Sequence, residues 1–248
     1  WAESLLPAPA RLLESMGVFH IKSYAADDVV IWSGANMSAD YFENRQDRYV
    51  EINDSSVASA AHDLAAYFST PQGRELQRTE SGGGVGGDSS LPPSSSSSSS
   101  SAPSSSSVEV RLVPQFRAGG VEDDWKATLD GVRSLGYGDE MSIATGYFAM
   151  PVALQEAVIA AAKRGSAIRV ITASPKANGF LGAKGPPGHL PNLYSRRLGK
   201  FARKLQQHNV LAPPEAPESY GKVSLYEWER NGWTFHAKGA WILQQDAG

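Results

Sequence analysis

Two short stretches of this chain carry the same pair of groups at the same spacing: Phe19-His20-Ile21-Lys22 and, close to the other end, Phe235-His236-Ala237-Lys238. In an extended segment residues i and i+2 face one side, so each copy projects an imidazole and an ammonium together. That pair suits phosphate chemistry. The imidazole can attack phosphorus or move a proton near neutral pH, while the lysine holds charge that develops on non-bridging oxygens. Two copies supply a nucleophile and an acid. With five histidines and nine lysines in 248 residues, chance alone yields about 0.2 His-x-Lys pairs, so two copies, each preceded by Phe, point to a shared purpose.

The first copy sits in a longer pattern, HxKxxxxDx6GxN, formed by His20, Lys22, Asp27, Gly34 and Asn36. A carboxylate such as Asp27 or Asp28 can orient an imidazolium, and Gly34 lets backbone approach a phosphate beside the Asn36 amide. The same "DD" and "SGAN" residues are also ordinary turn formers. The remaining histidines are placed differently: His62 in a helical stretch, His189 in a Gly/Pro-rich loop and His208 in a polar segment, where structural or solvated roles are expected. No metal-ligand cluster is evident, and no cofactor is expected.

These residues need elements to position them. Apolar residues make up 41% of the chain, enough for a buried core. The net charge of -3 gives no overall pull toward nucleic acid, and none is expected as a partner. The absence of cysteine excludes disulfides, thiolate zinc sites and cysteine nucleophiles together. The most apolar run, residues 141–162, is interrupted by Pro151, Gln155 and Glu156 and reads as strand then helix rather than a membrane span.

Strands are expected at residues 18–24 and 29–33, then a helix through 56–68. Residues 81–107 are almost entirely Gly, Ser and Pro, with little to bury, and are expected to form a disordered linker or insertion. Beyond it, strand and helix alternate: strand 108–116, helix 121–135, strand 141–148, helix 151–165 with Pro at its start and Gly at its stop, and strand 166–174. Two last strands follow, 222–230 and 233–243, the second carrying His236 and Lys238. The alternation predicts an α/β layered fold.

The motifs resemble those of the phospholipase D superfamily, whose mark is two HKD motifs, HxKxxxxD followed by GSxN, joined in one active site. Here Ala35 takes the serine position and Leu243 that of the second aspartate. More narrowly, "SGANMSADYFENRQDRY", "ITASPKANGF" and "EWERNGWTFHAKGAW" resemble the phosphatidylglycerophosphate synthases of eukaryotic mitochondria. The resemblance implies a phospholipase D-like α/β fold: two mixed-sheet halves with flanking helices and the active site at their pseudo-twofold interface. Residues 1–80 are then the latter part of the first half, 81–107 the linker and 108–248 the second half, the chain being a piece of a longer protein.

The same resemblance implies transfer of the phosphatidyl group of CDP-diacylglycerol to glycerol 3-phosphate, in mitochondria, at the surface of the inner membrane. His20 is the implied nucleophile, His236 the acid and then the base, with Lys22, Lys238 and Asn36 on the phosphoryl oxygens and Asp27 orienting a histidine. Gly34 and Ser38 complete the substrate-contacting set, and Arg45 and Arg48 are set against the acceptor phosphate or, equally, in surface ion pairs with Asp47 or Glu43. Other phosphatidyltransferases or phosphodiesterases of the superfamily, such as a phosphatidylserine synthase, a cardiolipin synthase or a nuclease, share this grip. A catalytically dead lipid-binding homologue is the reading from another class. Peripheral docking on an anionic membrane is expected through residues 193–205, where Leu198, Phe201 and Leu205 can share a helical face among five basic residues.

Overall fold

The computed structural model describes residues 21–69, 108–111, 113, 115–116, 121–216 and 219–245. His20 and the Ser-rich stretch 81–107 lie outside the described residues. The chain divides into two compact units, Trp1–Trp32 with Val50–Trp125, and Ser33–Tyr49 with Lys126–Gly248. The division does not follow chain order, because residues 33–49 count with the later part of the chain.

In the first unit β1 (Ser23–Ala26) and β2 (Val29–Ser33) form an antiparallel hairpin, with Ala26 opposite Val29, and β4 (Tyr49–Asn53) completes a three-stranded sheet. Asp27 and Asp28 make the two-residue turn, and Asp27 adopts φ 50°, a left-handed conformation that Asp and Asn tolerate better than other side chains. The long helix Ser55–Ser69 starts where Asp54 caps it: its Oδ1 accepts from the backbone N–H groups of Ser56, at 2.9 Å, and Val57, at 3.0 Å. Two-residue strands β5 (Gln115–Phe116) and β6 (Val121–Glu122) pair antiparallel. The expected strand 108–116 is thus reduced to its end, and residues 108–111 have no regular pairing.

The second unit is built on a four-stranded sheet in the order β11-β7-β8-β9: β7 (Glu140–Thr145), β8 (Ala167–Ala173) and β9 (Val223–Trp228) are parallel, and β11 (Gly239–Leu243) runs antiparallel along β7. Numbering helices in chain order, α1 is Ala39–Glu43, α2 is Ser55–Ser69, α3 is Asp123–Ser134, α4 is Val152–Lys163 and α5 is Leu190–Gln207. α4 connects β7 to β8 and α5 connects β8 to β9, the crossover that parallel neighbours require. Pro151 precedes the first helical turn of α4, and Gly165, at φ 103°, ends it where a Cβ would strike the Tyr137 ring. Val158, Ala161, Ile168, Val170, Val223, Phe148, Phe201 and Leu205 are buried in this unit.

Three expectations need correcting. The strand expected over 233–243 is two short ones: β10 (Thr234–Phe235) pairs in parallel with β3 (Arg45–Gln46), β11 pairs with β7, and residues 236–238 bridge the change of partner. Lys22 likewise precedes β1 rather than lying in it. Also, the apolar face of α5 points inward. Phe201, 1% exposed, stacks on Phe148 at 5.5 Å, and Leu205 is fully buried, so this face is spent on the core and cannot enter a membrane.

Candidate active site

The second His-x-Lys pair is held by three backbone bonds to two segments distant in sequence, residues 44–46 and Ala177. Thr234 N–H donates to the Asn44 carbonyl at 3.0 Å, Phe235 N–H to the Ala177 carbonyl at 2.9 Å and His236 N–H to the Gln46 carbonyl at 2.7 Å. Small residues make the approach possible: Ala144, Ala173, Ala177 and Ala237 pack around Phe235, which stacks on Trp228 at 5.3 Å. Gly146 is required for the same reason, since a Cβ there would lie 2.9 Å from the Phe235 carbonyl oxygen and 3.2 Å from His236 Cα.

His236 is 6% exposed, and its Nδ1 lies 2.9 Å from Oδ2 of Asp47, itself 9% exposed. A buried carboxylate facing Nδ1 selects the tautomer with the proton on Nδ1 and makes Nε2 the acceptor nitrogen. It also stabilises the imidazolium once Nε2 takes a proton. Lys238 lies against the same ring, its Nζ 2.8 Å from Nδ1 and 3.0 Å from Nε2, and donates to the His236 carbonyl at 2.9 Å. With the Nδ1 proton committed to Asp47, the ammonium is matched to Nε2. The His-x-Lys pair therefore stays together although no regular strand carries it.

Burial pushes the Asp47 carboxyl up, but the hydrogen bond to His236, the N–H of Arg48 at 2.8 Å and the Lys238 charge outweigh it and hold the carboxyl below its ordinary range. Gly34 is the residue that makes room: a Cβ on it would sit 2.8 Å from Asp47 Oδ1. The glycine of "SGAN" thus admits a carboxylate, where the sequence suggested a phosphate.

Aromatic rings wall the imidazole. Tyr41 meets it edge-on at 5.3 Å and Tyr147 at 5.9 Å, and Tyr147 packs against Phe180 at 5.3 Å and Tyr194 at 5.4 Å. Burial raises the Tyr147 phenol above its ordinary value, against the lowering field of Arg45. Such walls exclude water and strengthen the charges inside.

The other expected residues divide between the units. Asn36 and Ser38 are exposed beside this site's own segment, the Asn36 carbonyl accepting from Ser38 N–H at 2.9 Å, and Ala35 is buried. Arg45 lies 4.3 Å over the Tyr41 ring, donates to Thr234 Oγ1 at 3.1 Å and approaches Asp40 at 3.9 Å, a half-buried strut. Arg48 is exposed over the Trp241 ring at 5.3 Å, and Gly239 leaves space for its guanidinium. Its bond to Asp47 runs through the backbone, so the expected Arg48–Asp47 surface ion pair gives way to a buried carboxylate serving His236. Lys22 is half-buried and Asp27 exposed, both in the first unit. His62, His189 and His208 are exposed, His208 meeting Lys163 at 3.2 Å. Leu243, at the second aspartate's position, is an exposed residue of β11.

Sequence reading missed Asp47, Tyr41, Tyr147 and Gly146. The signals were weak: one acid among the charges of "NRQDRY", and a glycine in "ATGYF" following a strand.

No family model matches the chain. Curated proteins do. A chicken protein named CDP-diacylglycerol–glycerol-3-phosphate 3-phosphatidyltransferase, mitochondrial, is 28% identical over 94% of this chain and 48% of its own length. The protein of that enzyme name from Saccharomyces cerevisiae is 29% identical over 99% of this chain and 52% of its own. The chain spans about half the length of the curated relatives it matches. Among solved structures, phosphatidylserine synthase of Haemophilus influenzae superposes with TM-score 0.61 at 20% identity, covering 94% of this chain and 52% of that one. That likeness establishes the expected mixed α/β, phospholipase D-like fold, and the sequence relatives bear out the resemblance read from the motifs.

Proposed function

We propose that this chain is the part of a phosphatidylglycerophosphate synthase that bears both His-x-Lys motifs, and that it transfers the phosphatidyl group of CDP-diacylglycerol to glycerol 3-phosphate. The observation that carries the reading is the Asp47–His236–Lys238 group, a buried, proton-handling imidazole with its tautomer set by a buried carboxylate and a half-buried cation at its reactive nitrogen. The names of the relatives supply donor and acceptor. In the first step His20 attacks the phosphorus next to the lipid; a P–N bond forms, the bond to the CMP oxygen breaks, and His236, entering this step as the imidazolium, gives that oxygen the proton on its Nε2. In the second, His236 takes a proton from a hydroxyl of glycerol 3-phosphate, whose oxygen displaces His20 and yields phosphatidylglycerophosphate. Lys22, Lys238 and Asn36 hold the phosphoryl oxygens, and Arg48, exposed on Trp241, meets the acceptor phosphate.

The names of the mitochondrial relatives support a reaction in mitochondria, and a donor anchored in a bilayer supports a position at a membrane surface, which we assign to the inner membrane. Among the described residues no helix is long and apolar enough to cross a membrane. The test offers the full-length protein CDP-diacylglycerol labelled in its lipid part, with glycerol 3-phosphate, serine or water as acceptor. Label in phosphatidylglycerophosphate supports the reading; label in phosphatidylserine or phosphatidic acid, or none transferred, overturns it.

A further inference from the structure

Residues 174–214 contain seven basic side chains and no Asp or Glu, in a chain whose net charge is -3. Two of the seven face carboxylates, Lys176 at 3.0 Å from Glu229 and Lys204 at 3.7 Å from Glu156, and the other five are exposed. On α5, Leu193, Arg196, Arg197 and Lys200 follow the i, i+3, i+4, i+7 spacing of one helical face, away from the buried face of Phe201 and Leu205. Leu193 is 42% exposed, and Leu181, in the preceding loop with the exposed Lys184, is 58% exposed. These two leucines adjoin Tyr194 and Phe180 in sequence, the rings that pack on Tyr147 beside His236.

We propose that Leu181, Lys184, Leu193, Arg196, Arg197 and Lys200 form the face by which the chain docks on an anionic lipid bilayer, with the His236 site at headgroup level. Charge complementarity selects the partner's sign, and the leucines select its kind. Phosphates of a nucleic acid need only the cations, whereas apolar tips among cations are what an interfacial protein inserts at the headgroup boundary. The choice of a bilayer also rests on the phosphatidyl-transfer reading. Each cation near an anionic surface strengthens partition roughly fivefold.

The test is flotation of the 248-residue chain with phosphatidylcholine vesicles, with and without phosphatidylglycerol. Binding is expected only to the anionic vesicles and falls with salt. Arg196→Gln/Arg197→Gln/Lys200→Gln is expected to weaken it roughly 100-fold, Leu181→Ser/Leu193→Ser to weaken it with the salt dependence kept, and Arg196→Lys/Arg197→Lys to retain it, all with unchanged circular dichroism. Failure of the wild-type chain to float, or a triple variant that floats like it, overturns the proposal. So does single-stranded RNA bound as tightly as the vesicles and indifferent to the leucine changes, which marks a general polyanion surface. Phosphatidyl transfer is measured separately with full-length protein and the donor in neutral detergent micelles. Flotation that depends on these six residues without transfer upholds the docking face and removes the chemistry; transfer without such flotation does the reverse.

Discussion

Asp47→Asn keeps the shape of the side chain beside His236 and removes its charge. In the wild-type chain the Nδ1–H donates to a buried carboxylate at 2.9 Å, a charge-assisted bond of about 1.5–3 kcal/mol. Loss of about 2 kcal/mol in a chain of this size lowers the melting temperature by about 4–8 °C. The chemical cost is larger. An Asn can present its N–H₂ to Nδ1 and so favour the tautomer with the proton on Nε2, and it has no charge with which to stabilise the imidazolium; the same exchange beside a catalytic histidine of a serine protease costs about 10⁴-fold. Transfer from labelled CDP-diacylglycerol by the full-length variant is therefore expected to fall about 10³- to 10⁴-fold in kcat with little change in KM. The pH dependence has a definite sign: the Asp47 carboxyl lies below its ordinary value in the folded chain, so its contribution is present above about pH 4 and is lost as the pH falls through the folded pKa. The melting difference between wild type and Asp47→Asn should hold near neutrality and close below about pH 4. A variant that turns over within tenfold of wild type and melts at the same temperature refutes the assignment of Asp47 as the group that orients His236.

Gly34→Ala should reproduce most of that loss without touching a polar group, because its Cβ would lie 2.8 Å from Asp47 Oδ1; overpacking of about 1–3 kcal/mol is expected in thermal melts, and the double variant with Asp47→Asn should be less than additive in rate. His20→Ala and His236→Ala should each lower transfer by several orders of magnitude and together by scarcely more, as expected of nucleophile and acid acting as a unit, while His62→Ala, His189→Ala and His208→Ala should keep wild-type turnover. Rapid quench should trap lipid label as an acid-labile phosphoramidate that His20→Ala abolishes; label retained in that variant and lost in His236→Ala reverses the two roles. Arg48→Gln should raise KM for glycerol 3-phosphate about 10- to 100-fold and leave single-turnover release of CMP unchanged, and a loss of CMP release instead places Arg48 on the donor.

Local pattern was enough for much of this molecule. The strand-helix alternation between residues 123 and 173, the Pro start and Gly stop around α4 and the Asp-Asp turn between β1 and β2 are set by backbone sterics and short-range periodicity, and each appears within a few residues of where it was expected. The repeated His-x-Lys was legible because residue types and spacing alone express its chemistry. What tertiary structure decided is which groups meet. Asp47 and His236 are 189 residues apart, and no local signal distinguishes a buried carboxylate from the solvated acids around it. The last strand reads as continuous in sequence, yet its two ends find different partners, β3 and β7, and the change falls at the reactive residues. On α5 the apolar and basic stripes were both visible, but only the packing of Phe201 on Phe148 and the burial of Leu205 decide that the apolar stripe belongs to the core and that the basic one faces outward. Periodicity reports that a face is apolar; the rest of the fold determines what covers it.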